Sequence, residues 1–171
     1  MKIAILVEDH YQVLEVWYPY FRFREEGIIT VFVGPSGKKV YESKEGYAAE
    51  RELAVEEASV KDFAAVVIPG GYAPDILRRH ESVNRFVKDM FVKGKVVASI
   101  CHGGWVLVSA GILKGRRATS FHAIKDDVVN AGAEYLDKEV VVDGNLITSR
   151  NPYDLPAFCR EILKAVKSAE K

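Results

Sequence analysis

The stretch Lys95-Val96-Val97-Ala98-Ser99-Ile100-Cys101-His102-Gly103-Gly104-Trp105 decides how this 171-residue chain is read. An apolar, β-type run leads into a cysteine. A histidine and two glycines follow, and Trp105 to Ala110 continue as a helix-like stretch. Strand, reactive residue, small residues and helix is the order of a nucleophile elbow, in which a sharp turn lifts one side chain out at the carboxyl end of a buried strand. The residues after the turn must be small, because the next helix packs close behind it. The N-terminus of that helix offers free N–H groups and partial positive charge, which favours the thiolate, the form of cysteine that attacks carbonyls. The competing reading of Cys101 is a buried, inert strand-end thiol. The adjacent His102 and the glycines turn the choice toward a nucleophile with His102 as its general base. Cys159 supplies the contrast: it shares one helical face with Leu155, Phe158, Ile162, Leu163 and Val166 and has no neighbouring histidine, so it reads as core.

Outward from the elbow, β-type runs alternate with helical ones. Strands are expected at Lys2–Val7, Ile28–Val33, Phe63–Ile68 and Lys95–Ile100, with helices over residues 11–26 (closed by Gly27 and kinked at Pro19) and about 74–92. Residues 36–52 suggest a small hairpin. Arg117–Ser120 reads as a short strand and 124–130 as a helix. Lys138–Val142 and Leu146–Ser149 flank the turn Asp143-Gly144-Asn145, and a last helix runs over about 152–167. Such alternation predicts one α/β domain over residues 1–171, with a mostly parallel sheet covered on both faces. The active site of such a sheet lies beyond the carboxyl ends of its strands. Connectivity puts Glu8–Gln12, Pro69–Asp75 and Cys101–Gly104 there.

Composition limits the partners. The 24 basic residues balance the 24 acidic ones, so no nucleic-acid or membrane-surface partner is expected. Met1–Val7 is too short for a signal segment, being cut off by Glu8-Asp9, and no apolar run spans a bilayer. Together with two widely separated cysteines, these features suggest a soluble, cytoplasmic protein with reduced thiols. No Cys/His cluster has metal spacing, and neither GxGxxG nor GxxxxGK[ST] occurs. No metal or other cofactor is expected. His10 and His80 show no metal spacing, and His122 is a lesser candidate for lining the site. The tail Lys164–Lys171 reads as solvated surface.

Gly70-Gly71 ends the third strand and lets backbone N–H groups approach a reacting atom. With the N–H of His102 these could form an oxyanion hole; the plainer reading is a βα turn. A carboxylate is wanted to orient His102, and Asp75 is the candidate, with Glu8 as its competitor.

Ala98-Ser99-Ile100-Cys101-His102-Gly103 resembles the elbow of the PfpI intracellular proteases of the ThiJ/PfpI superfamily. Glu15 to Phe23 with Glu25-Glu26-Gly27, Ile68 to Asp75, Ile124 to Asp127 and Val141 to Asn145 fit the same family. The resemblance implies a flavodoxin-like three-layer sandwich related to class I glutamine amidotransferases, in an intracellular protein that forms dimers and often hexamers. It implies Cys101 as nucleophile, His102 as its partner, the amides of Gly71 and His102 as oxyanion hole, and Asp75 completing the triad across a subunit interface. Four departures are visible. Asp75 and Gly104 stand where Glu and Pro are usual, and Phe121 where Tyr is common. Gln12 is placed at the position of a Glu beside the nucleophile, so an amide that cannot titrate is expected next to the sulfur.

The resulting expectation is a thiol-dependent hydrolase acting on peptides. Glyoxalase or deglycase chemistry on small reactive carbonyls is the alternative, disfavoured by Gln12. A cysteine-based redox sensor or chaperone is the non-enzymatic one. A flavin module would rest on fold analogy alone, without a phosphate loop.

Overall fold

The computed structural model describes residues 1–169. In chain order its elements are β1 (Lys2–Leu6), α1 (Val13–Glu25), β2 (Ile29–Gly34), β3 (Val40–Glu42), β4 (Ala48–Glu50), β5 (Leu53–Ala54), β6 (Ala65–Ile68), α2 (Ala73–Leu77), α3 (Glu81–Val92), β7 (Val96–Ile100), α4 (Gly104–Ala110), β8 (Arg117–Ala118), α5 (Lys125–Asn130), β9 (Glu134–Tyr135), β10 (Val141–Asp143), β11 (Leu146–Ser149) and α6 (Leu155–Ser168). Seven strands form the main sheet in the order β10-β11-β7-β6-β1-β2-β5. All its pairings are parallel except β10 with β11. The central strands β1, β6 and β7 are buried along almost their whole length, as strands covered on both faces must be. Helices α1 and α6 pack together against β2, β7 and β11, while α2 to α5 form a second packed group against β6 and β7. The result is the flavodoxin-like α/β sandwich expected from the sequence.

Cys159 lies in the core on α6, 1% exposed. The 36–52 hairpin is present as the antiparallel pair β3–β4, and the turn after Val142 joins β10 to β11. Helix α1 continues through Pro19, which is buried within it. Three details differ from expectation. The helical region after Pro74 is two helices: the extended backbone of His80 starts α3 afresh, and the Asn84 side-chain amide donates to Arg78 O at 2.8 Å across the break. Strand β5 extends the sheet beyond β2, and the short strand expected from Arg117, β8, pairs in parallel with a further strand, β9. The unanticipated strands β5 and β9 have two residues each, too few for a period to register. Among the described residues, no helix is long and apolar enough to cross a membrane.

The topology brings three segments to one place. Strands β1, β6 and β7 are neighbours and end side by side, so the loops after them converge. Gln12 N donates to Gly70 O at 3.1 Å and Tyr72 N to His10 O at 2.8 Å. These bonds lash the start of α1 to the loop after β6, beside the elbow after β7.

Candidate active site

Cys101 follows β7 with φ 59°, in the left-handed region that a non-glycine residue seldom adopts. A tight turn over Cys101–Gly103 leads straight into α4. The smallness required after the nucleophile is met at Gly103, where a Cβ would lie 2.4 Å from Ile68 O. Cys101 is 8% exposed, and its Sγ ends at the floor of a cleft of about 370 Å³. The backbone N–H groups of His102 and Gly71 both favour the thiolate of Cys101, so the two amides proposed for an oxyanion hole act on the same sulfur.

His102 Nδ1 lies 3.4 Å from Cys101 Sγ. Its ring is held between Trp105 and Phe121, with centroids 5.1 and 4.9 Å away. Burial, helped by the positive charges of Lys44 and His122, lowers the His102 pKa and keeps the ring neutral, as a general base requires. Phe121 thus stands in the site as a packing surface for the imidazole, and its own N–H donates to Cys101 O at 3.2 Å.

The carboxyl beside the sulfur is Glu15. It is fully buried in the first turn of α1, accepts a hydrogen bond from Gly70 N at 2.7 Å through Oε2, and lies near enough to Cys101 for each to shift the other's titration. Oε1 has no nitrogen or oxygen partner among the described residues. Gly70 makes this approach possible: a Cβ there would sit 2.7 Å from both Cys101 Cβ and Glu15 Oε2. This corrects the expectation for Gln12. Gln12 lines the cleft, but its Oε1 caps α1, accepting from Leu14 N at 2.7 Å and Glu15 N at 3.1 Å. The two residues are three apart, one on the cap and one on the first turn of the same helix. A charge inside an otherwise apolar helix start reads as surface until the fold shows what lies against it.

Burial raises the Glu15 carboxyl to about 7, against the pull of the Gly70 amide, of Cys101 and of Lys44. Burial, with the negative charge of Glu15, pushes the Cys101 thiol up to about 12, against the two amides. The expectation that the elbow alone yields a thiolate is therefore corrected: α4 is one short helix, and desolvation outweighs it. One negative charge fits the pair, whereas two repel. Passing the thiol proton to Glu15 creates a thiolate without adding charge to the cleft.

Within one chain neither proposed orienting acid touches His102. Asp75, in the first turn of α2, is half-exposed and ion-paired with Arg79. Glu8 is buried, accepts from Asp9 N at 2.8 Å, and lies 4.0 Å from His80 Nε2. The cleft contains four further residues that the sequence did not single out: Lys44, Tyr72, Trp105 and Pro152.

The DJ-1/PfpI family pattern matches residues 1–165. A relative from Pyrococcus furiosus named Deglycase PfpI is 45% identical over 98% of this chain and all of its own. Protein/nucleic acid deglycase 2 of Escherichia coli is 40% identical over 95% of this chain and 96% of its own. YraA of Bacillus subtilis, which carries a provisional cysteine-protease name, is 39% identical over 97% of this chain and 98% of its own. Among solved structures, a two-domain Anabaena variabilis protein with DJ-1/ThiJ/PfpI-like and ferritin-like domains superposes with a TM-score of 0.95 at 42% identity. That match covers 97% of this chain, which spans about half the length of the Anabaena protein (48%). Drosophila melanogaster DJ-1beta superposes with a TM-score of 0.88 at 25% identity, over 98% of this chain and 94% of its own. With the elbow, the paired amides and the buried glutamate on one side and a match of this length on the other, the chain belongs to the DJ-1/PfpI family.

Proposed function

We propose that this chain is a Cys101-dependent enzyme that acts on reactive aldehydes and on the adducts they form with amines, as the deglycase names of its relatives suggest. The observation that carries the reading is the Glu15 carboxyl, fully buried beside the sulfur and held by Gly70 N, where burial raises its pKa to about 7. It supplies the acid/base that the sequence alone placed out of reach. With methylglyoxal as the simplest case, Cys101 Sγ bonds to the aldehyde carbon and the carbonyl oxygen takes up a proton, forming a hemithioacetal. Glu15 then removes the proton from that carbon and returns one to the neighbouring carbon, while the hydroxyl proton passes to the neighbouring oxygen, which leaves a lactyl thioester. Water cleaves the S–C bond, releasing lactate and restoring the thiol, for a net addition of one water. An amine adduct enters the same sequence once its C–N bond breaks and the amine leaves. The N–H groups of Gly71 and His102 are proposed to hold the oxygen on the carbon bonded to sulfur.

Peptide hydrolysis is the second reading, because the elbow and its paired amides also suit acyl transfer. It needs no titrating carboxyl on the sulfur, and a cleft of about 370 Å³ accommodates a small carbonyl compound more readily than an extended peptide. We further propose that Asp75 acts on His102 from a second subunit of a homo-oligomer. The test is a parallel assay of purified protein on methylglyoxal and a fluorogenic peptide. Lactate formation lost in Cys101→Ser and in Glu15→Gln supports aldehyde chemistry. Peptide cleavage that persists in Glu15→Gln, without lactate formation by the wild type, supports the hydrolase.

A further inference from the structure

Lys44 sits at the tip of the β3–β4 hairpin, exposed, and lines the cleft with Cys101 and His102. The tip is tied down. Lys44 N donates to Tyr11 O at 3.2 Å, Ser43 N to Tyr47 O at 2.9 Å, and Gly46 N to Ser43 O at 3.0 Å. Ser43 Oγ accepts from Glu45 N and Tyr47 N, both at 3.1 Å, and Tyr11 Oη donates to Tyr47 O. The other lysines of this hairpin are neutralised, Lys38 by Asp9 and Lys39 by Glu50. Lys44 has neither an ion-pair nor a side-chain hydrogen-bond partner among the described residues. Its positive charge acts on both Glu15 and His102, and its side chain lines the same cleft as Cys101.

The rest of the cleft lining carries little charge. Gln12, Gly71, Tyr72, Trp105, Phe121 and Pro152 are neutral, and Glu15 lies buried behind the sulfur. An unpaired cation carried on a hydrogen-bonded hairpin tip beside a mostly apolar cleft is an unfilled half of an ion pair. Lys44 and Cys101 line the same cleft, so a carbonyl compound bonded to Sγ shares that space with the ammonium.

We propose that Lys44 is a specificity residue, and that the substrate class of the cleft is 2-oxoaldehydes carrying a carboxylate tail. The inference rests on the aldehyde reading above and names its substrate. The probe is 4,5-dioxopentanoate, which adds one water to become 2-hydroxyglutarate with release of one proton. Its methyl ester removes the charge, and methylglyoxal serves as the tail-less control. Wild-type kcat/KM for the acid should exceed that for the ester about fivefold, the effect of one partly exposed ion pair, with the difference carried by KM. Lys44→Met should bring the ratio to about one, Lys44→Glu should invert it, and Lys44→Arg should keep it. Taking the ratio within each variant cancels any effect of the lost charge on Glu15 or His102, and any change in the amount of folded protein. Turnover of methylglyoxal and ester with an acid-to-ester ratio near one in the wild type, or a ratio that survives Lys44→Met, overturns the inference and leaves the aldehyde reading standing. No turnover of any of the three overturns both.

Discussion

Replacing Glu15 by Gln should change the pH dependence of stability in a way fixed by burial. In the folded protein the carboxyl is held at about 7, against 4.5 when free. The unfolded chain therefore loses this proton at lower pH than the folded one. Below pH 4.5 both states hold it and there is no penalty. As pH rises through 4.5 toward 7 the folded state is increasingly disfavoured, and above 7 the full cost is present. At 1.36 kcal/mol per pKa unit, the wild type loses about 3 kcal/mol at this one group over that interval. A glutamine side chain at this position does not titrate, and its amide oxygen can still accept from Gly70 N. Urea unfolding of both proteins at several pH values between 4 and 8 gives the difference in stability, in which all other titrations cancel. That difference should grow in favour of Glu15→Gln by about 3 kcal/mol from the acid to the alkaline end. A difference that stays flat would mean that the carboxyl is solvated and the pair is not built as described.

Three shorter predictions follow from the same geometry. Gly70→Ala places a methyl 2.7 Å from Cys101 Cβ and Glu15 Oε2, so activity should fall by at least about tenfold while the circular dichroism of the fold is kept; full activity would show that the pair tolerates separation. Gln12→Ala removes the cap of α1 and should cost about 1 kcal/mol in urea unfolding, whereas Gln12→Asn should recover most of it; unchanged stability in Gln12→Ala would deny the cap. If Asp75 serves a second subunit, mixing inactive Asp75→Ala with inactive Cys101→Ala chains should restore part of the activity, and no recovery despite proven subunit exchange would place the orienting acid elsewhere.

The parts of this architecture that local pattern determines were legible in the sequence. Short, β-branched apolar runs such as Ile3–Val7 and Val96–Ile100 read as buried strands, and their alternation with helices points to a parallel sheet. Cys101 was visible because strand, thiol and glycines are contiguous, and Cys159 was set apart by its helical apolar neighbours. Glu15 was not visible in that way. Its role depends on the hydrogen bonds that lash residues 10–12 to residues 70–72, a long-range contact with no local signature. A carboxylate in a first helical turn ordinarily reads as a favourable surface charge. Lys44 was hidden for the same reason: in sequence it is one charge in a polar hairpin, and only the Tyr11 contact shows what it overhangs.

The central claim is that Cys101 and Glu15 share one proton, and the pH dependence of Cys101 alkylation tests it most directly. Iodoacetamide labelling, quantified by peptide mass, can be followed from pH 5 to 11 in the wild type and in Glu15→Gln, with the core residue Cys159 as the unreactive internal control. In the wild type the Cys101 rate should rise first near pH 7, as the pair gives up one of its two protons and shares the one that remains, and should still be climbing at pH 11, because the second proton leaves only near 12. Glu15→Gln should show a single step, at a pH below the second wild-type step because the opposing charge is gone. Superimposable curves, or labelling of Cys159 as fast as Cys101, would contradict the account.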